Sequence, residues 1–319
     1  MVLVAGGFTT YLGVGLREDL SDIIYSIAPS ECPMMNMFGR GSASGVKHEW
    51  QTDSLRTPAA NAQLEGDVAA ASATTATVRL HNFCQISYTV LGITGTEEAV
   101  DKAGRKSELA YQLTKRGKEL KTDVEFELGD NAVGTTAGGA TTARTAAGLP
   151  VWYETNGVYG AGGANSVKSG TYQPTSATAT DGTVRGLTES LMKSVIQSCW
   201  TQGGNPTTLL CGPFNKTVIS GFTGGSTRFD IGEDKKLVAA IDVYVSDFGT
   251  HRCVASRISR ERDLHVLDPK MWSVDYLRGF RQFPLAKTAD AERRQLLVEW
   301  TLRSSNEKAS GHVADLSTS

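Results

Sequence analysis

The sequence predicts an α+β fold organised around one long amphipathic helix, and three observations lead there. Apolar residues recur at helical spacing through 97–128. Strand-like runs come before that stretch and return near the C-terminus. Between two of the early runs lies a segment, 56–76, whose only large apolar residues are Leu64 and Val68.

In the first forty residues, 16–27 places Leu16, Leu20, Ile23, Ile24 and Ile27 on one helical face. Pro29 and Pro33 punctuate the next stretch, and Met34, Met35, Met37 and Phe38 then form a soft apolar run. Such a run suits an adaptable contact surface or, equally, the edge of a core. Residues 46–55 alternate as a strand, and 77–94, rich in β-branched and aromatic side chains, read as one longer strand. The intervening 56–76 cannot bury enough surface to order itself. It is either a two-stranded arm completed by a neighbouring subunit or an ordinary surface loop, since an isolated hairpin is marginal in water.

Within 97–128 the stripe is Ala99, Ala103, Ala110, Leu113, Leu120, Val124 and Leu128, with Thr94 or Thr96 as cap. Glu98 with Lys102, Asp101 with Arg105, and Lys121 with Glu125 are spaced four apart on the expected wet face, each pair adding only about 0.2–0.5 kcal/mol. An unbroken helix here spans about 48 Å at roughly 1.5 Å per residue, despite Gly104 and Gly117. After it, 129–148 and 156–185 are glycine-rich. Neither GxxxxGK[ST] nor a strand-flanked GxGxxG is present, which argues against a nucleotide-binding loop. Helices near 187–200 and 214–222 with strands at 207–212 and 241–248 predict a compact mixed unit. The runs 253–258, 264–268, 272–277 and 295–305 predict one C-terminal sheet on which the long helix lies.

Composition narrows the function. The 319 residues are 40% hydrophobic, enough to bury a core in two substructures. With 32 Lys and Arg dispersed against 34 acids, the net charge of −2 does not suit a counterion-release DNA binder. No basic, apolar leader and no window of about eighteen apolar residues is found, so a soluble, unexported product with no membrane span is expected. Cys32, Cys84, Cys199, Cys211 and Cys253 are odd in number and lack CxxC spacing, which predicts buried thiols. His48, His81, His251, His265 and His312 are scattered, without HExxH. Asp230, Asp242, Asp247 and His251 lie close in sequence but read as a solvated turn. The expected site inventory is therefore empty: no catalytic residue, no cofactor, no metal and no enzyme.

Several strings carry a family resemblance. REDLSDIIYSIAPSECPMMNMFGRG (17–41), HEWQTDSL (48–55) and GTEEAVDKAGRKSELAYQLTKRGKELKTDVE (95–125), with DPKMW (268–272) and SNEKASGHVADL (305–316), resemble tailed-bacteriophage major capsid proteins over residues 8–316. The resemblance implies the capsid fold shared with herpesvirus shells: N-terminal arm (1–40), extended hairpin or E-loop (41–94), and spine helix (95–128). It also implies an axial domain (129–249) and a peripheral-domain sheet with C-terminal strand (250–319). It further implies self-assembly through pentamers and hexamers into an icosahedral or prolate virion shell around double-stranded DNA, built in the host bacterial cytoplasm. Scaffolding, portal and decoration proteins are the implied partners, and a cellular nanocompartment shell is the alternative. Some members lock the shell through a hairpin lysine, but no lysine occurs between Lys47 and Lys102, so a non-covalent shell is expected. The short stretch ahead of the arm leads us to expect a separate scaffold rather than a fused one. Gly129, Gly134, Gly138 and Gly139 are candidates for flexing between unequal ring environments or for a merely variable loop.

Overall fold

In a computed structural model the described residues are 31–66, 68, 74–101, 106–132, 138–166, 178–222, 242–287 and 289–319. The predicted amphipathic segment 16–27, as well as Ala103, Gly104, Gly134 and Asp230, falls outside them.

The described chain enters through a short helix α1 (Pro33–Met37) and strand β1 (Gly39–Ser42), then strands β2 (Lys47–Thr52), β3 (Val78–Phe83) and β4 (Gln85–Thr94). Helices α2 (Gly95–Ala99), α3 (Glu108–Gly129) and α4 (Leu149–Trp152) come after these strands. Next are β5 (Gly157–Val158), α5 (Glu189–Thr201), β6 (Thr208–Cys211), α6 (Pro213–Ser220), β7 (Val243–Ser246) and β8 (Gly249–Ala255). The chain closes with β9 (Leu264–Leu267), β10 (Trp272–Pro284), β11 (Ala291–Ser304) and β12 (Gly311–Val313).

Three sheets result. One is four-stranded in the order β1-β10-β11-β4, one six-stranded in the order β5-β12-β9-β6-β8-β7, and the third is the β2-β3 ribbon. Two expectations are corrected by this pattern. The run 77–94 is not one strand, because it divides at Cys84 between the ribbon and the four-stranded sheet. The four C-terminal runs do not form one sheet either. β10 and β11 lie with β4, whereas β8 and β9 join β6 and β12 in the other sheet. Uniform burial of β9 marks it as an interior strand, while β10 becomes progressively exposed beyond its first four residues.

The predicted rod is also corrected. Among the described residues the helix is α3 alone, 22 residues or about 33 Å at roughly 1.5 Å each, preceded by the separate α2. Thr94 caps α2 by accepting from Glu97 N, and α3 has its own cap in Ser107, which accepts from Ala110 N. Glu98 Oε2 also accepts from the backbone N–H groups of Glu108 and Leu109, at 3.1 and 3.3 Å. A second N-terminus is thus written into 94–110, and the negative carboxylate favours it through the helix dipole.

Only the second half of the stripe is buried as expected: Leu120, Val124 and Leu128 pack on the four-stranded sheet with Trp272, Val298 and Trp300. Ala110 is exposed and Leu113 half-buried. Met34, Met35 and Phe38 enter the same core, which resolves the Met-rich run as a core edge. Gly129 is no hinge: a Cβ there would lie 3.2 Å from Ser259 Cα, so glycine permits close packing. Gly138, at φ +81°, holds a left-handed turn. A second core joins α5 and α6 to the six-stranded sheet through Met192, Ile196, Leu209 and Val266.

All five cysteines are buried and none is in a disulfide. Burial pushes the Cys199 and Cys211 thiols up to about 12, so neither is a poised nucleophile. His265 and His312 are buried in an aromatic nest with Tyr153, whose hydroxyl is 3.4 Å from His265 Nδ1 and whose ring meets His312 edge-on at 4.6 Å. Burial drives both imidazoles down, His265 to about 3. The native state therefore binds fewer protons than the unfolded chain between roughly pH 3 and pH 6.5, and stability is lost as pH falls through that window. Neither ring nitrogen of His312 has a hydrogen-bond partner. His312→Phe is accordingly expected to move the acid-unfolding midpoint downward, each such group contributing a slope of up to about 1.4 kcal/mol per pH unit. An unchanged midpoint by circular dichroism contradicts this.

Candidate assembly surfaces

The acidic cluster beside His251 has no catalytic geometry. His251 Nε2 lies 2.7 Å from Ser246 Oγ, but that oxygen also accepts from Phe248 N and so closes the β7–β8 turn. Asp242 turns to Lys216 at 3.4 Å and Asp247 is exposed at the turn, with neither carboxylate orienting the imidazole. Among the described residues no three His, Cys, Asp or Glu side chains could hold a metal ion. No described helix is long and apolar enough to cross a membrane.

The informative surface is the ribbon. β2 and β3 pair antiparallel from Lys47↔Phe83 to Thr52↔Val78, a reach of about 20 Å for six residues. Its base is held from several sides. Asn82 donates to Leu302 O at 2.8 Å and accepts from Ala147 N at 3.0 Å. His48 Nε2 meets Asp275 Oδ2 at 2.8 Å, and the Trp50 and Trp152 rings lie 5.4 Å apart. Beside it Glu299, buried, takes Arg144 and, at 2.7 Å, Arg278, while Arg144 also donates to Cys84 O at 3.1 Å. Buried charge is tolerated here because both carboxylate oxygens are paired.

Beyond Thr52 that support stops. Leu55, Leu64 and Val68 are 98%, 82% and 87% exposed. An apolar side chain left almost wholly in water forfeits about 1.5–3 kcal/mol that a partner surface would supply. The anchored base and the exposed described residues beyond Thr52 fit both readings that the composition of 56–76 allows, an arm completed by a neighbour and a surface loop.

A link that periodicity missed joins the arm-side entry to the long helix. Glu125, placed on the wet face with Lys121 by spacing, is buried. Its two oxygens accept from the backbone N–H groups of Met34 and Met35 at 2.7 and 2.9 Å. Burial raises its carboxyl to about 7 against the lowering effect of those two bonds. The available signal was its place beside the Val124 and Leu128 stripe, which spacing alone assigned to solvent.

A sheet-backed helix, a projecting two-stranded ribbon and a second α/β sheet define the architecture of a capsid-shell subunit, and solved shells share it. A chain of the cyanophage A-1(L) capsid asymmetric unit superposes with a TM-score of 0.65 at 14% identity, covering 97% of this chain and 98% of that one. The capsid of a native GTA particle computed with C5 symmetry gives 0.63 at 8% identity, over 97% and 98%. At the sequence level, residues 4–317 match the family described as SU10 major capsid protein, and the chain belongs to that family. The major capsid protein of Escherichia phage Phieco32 is 23% identical over 335 aligned positions, 95% of each chain. The protein is thus a phage major capsid protein, a structural component of the virion rather than an enzyme. The nanocompartment alternative gains no support from these relatives.

Proposed function

We propose that this chain builds a non-covalent shell in which the β2–β3 ribbon lies across a neighbouring subunit of the same ring. The observation carrying this reading is the contrast between the ribbon's pinned base at Asn82 and His48 and its uncovered tip at Leu55 and Leu64. Heterologous contacts of this kind close into rings of five and six, and many weak interfaces then sum to a stable particle. The four-stranded sheet with α3 acts as the peripheral domain and the six-stranded sheet with α5 and α6 as the axial one. The shell assembles in the host cytoplasm on a separate scaffolding protein, encloses double-stranded DNA, and joins a portal and a decoration protein. The near-balanced charge suits an inner wall that does not grip the packed genome.

Electron microscopy of the purified protein, with and without scaffold, tests this. Closed particles or capsomer rings are the expected result, and they should run as a single band near 34.1 kDa after boiling in detergent. A folded monomer under both conditions contradicts the assembly reading, and a ladder of boiled multimers contradicts the non-covalent one.

A further inference from the structure

β4 is an edge strand without the features that keep edges from pairing. It ends the four-stranded sheet, and among the described residues its backbone bonds to β11 alone. Its ten residues, Gln85–Thr94, hold no charge and no proline, and they follow β11 without a register shift. Edges are ordinarily kept short, charged or bulged, because an open row of N–H and C=O groups recruits another strand. The other edges of this chain follow that habit. β1 and β7 are four residues long and β5 is two, while the β2–β3 ribbon carries Lys47, Glu49 and Arg79.

The side chains point the same way. α3 covers the face of Val298 and Trp300, which are paired with Ser87 and Gln85. Ile86, Tyr88 and Val90 alternate onto the opposite face, where they are 42%, 61% and 37% exposed. A strand is therefore the occupant this edge selects, and the edge is complementary to itself. Beside its Ile86 end, Glu299 holds both Arg144 and Arg278, which leaves a net positive charge. Beside its Thr94 end, Glu97, Glu98 and Asp290 outweigh Arg293, while Glu292 and Arg294 pair with each other. Antiparallel pairing of two copies sets the positive end of each against the negative end of the other, with no like charges opposed along the strand.

We propose that the β4 edge pairs with the β4 edge of a second copy, antiparallel about a two-fold axis near Thr89, so that the apolar strips of the two sheets run side by side. Such a contact is isologous and closes on two copies. In a shell it joins subunits of different rings, a link that a contact repeating around one ring does not supply. The pairing goes beyond the shell reading and does not depend on it.

Sedimentation velocity of the full-length protein, kept below the concentration at which particles form, tests it. Wild type is expected to form a two-copy species as concentration rises. Tyr88→Lys with Val90→Lys, and separately Tyr88→Glu with Val90→Glu, should weaken that species about tenfold or more, because like charges then face each other across the axis. An equimolar mixture of the two variants should restore it. Hydrogen exchange on wild type needs no variant: the outward amides of β4 should gain protection only as the two-copy species forms. If the variants melt early, the exchange result alone decides. A wild type that stays monomeric overturns the proposal, as do folded variants that pair as well as wild type or whose mixture fails to pair. So does protection of β4 in the monomer, which assigns the edge to another segment of the same chain.

Discussion

Deleting residues 56–76 and joining the ribbon through a short turn should abolish particle formation while leaving the subunit folded. Leu64 and Val68, the large apolar residues removed, contribute almost nothing to the monomer's core, being 82% and 87% exposed. Removing such surface changes folding stability by no more than about 0.5 kcal/mol. The ribbon itself keeps its six-residue register and its ties through Asn82, His48 and Trp50. Assembly differs, because each ring multiplies one lost contact by its number of subunits. The measurement pairs thermal unfolding of the isolated subunit with electron microscopy of the assembly reaction. Unchanged melting with no particles is the expected outcome. Particles of normal yield would remove the ribbon tip from the interface, and a collapsed melting temperature would make it part of the subunit's own core.

The second large effect concerns Glu125. Glu125→Leu leaves the N–H groups of Met34 and Met35 buried without an acceptor, at about 1–3 kcal/mol each, and should lower the melting temperature by roughly 5–10 °C. Glu125→Gln separates charge from hydrogen bonding. Burial lifts the wild-type carboxyl from 4.5 to about 7. Between those values the native state holds more protons than the unfolded chain, so this group's contribution falls as pH rises, by about 3 kcal/mol in all. The glutamine cannot ionise. Relative to wild type it should therefore gain stability from pH 4.5 to about pH 7 and level off above. Parallel stability curves for the two proteins across that range would show that Glu125 does not titrate there.

Much of the fold was legible from local pattern. Strand runs at 46–55, 207–212, 264–268 and 295–305 carry enough β-branched and aromatic residues to declare themselves, and β2, β6, β9 and β11 lie there. α5 follows from Met192, Val195, Ile196 and Cys199 at helical spacing behind the Thr188 cap. The exposure of the described part of 56–76 was visible because a stretch with two large apolar residues has little to bury. What misled was also local. Spacing continues across 97–128 whether or not one helix does, and the two caps at Thr94 and Ser107 look like ordinary polar residues until their N–H partners are placed.

The sequence by itself determined the inventory: an α+β chain, a long stripe-bearing helix, five thiols without a disulfide pattern, and no recognisable catalytic constellation. Those are properties of periodicity and residue chemistry, which act over a few residues and can be read in order. Only the tertiary structure decided that 77–94 splits at Cys84, that β8 and β9 leave β10 and β11 for another sheet, and that Glu125 turns inward to hold Met34 and Met35. Each of those outcomes depends on which backbone groups meet across long separations, 90 and 91 residues for Glu125. Burial, pairing and dielectric are set at such meetings, and neighbouring residues in the chain carry no record of them.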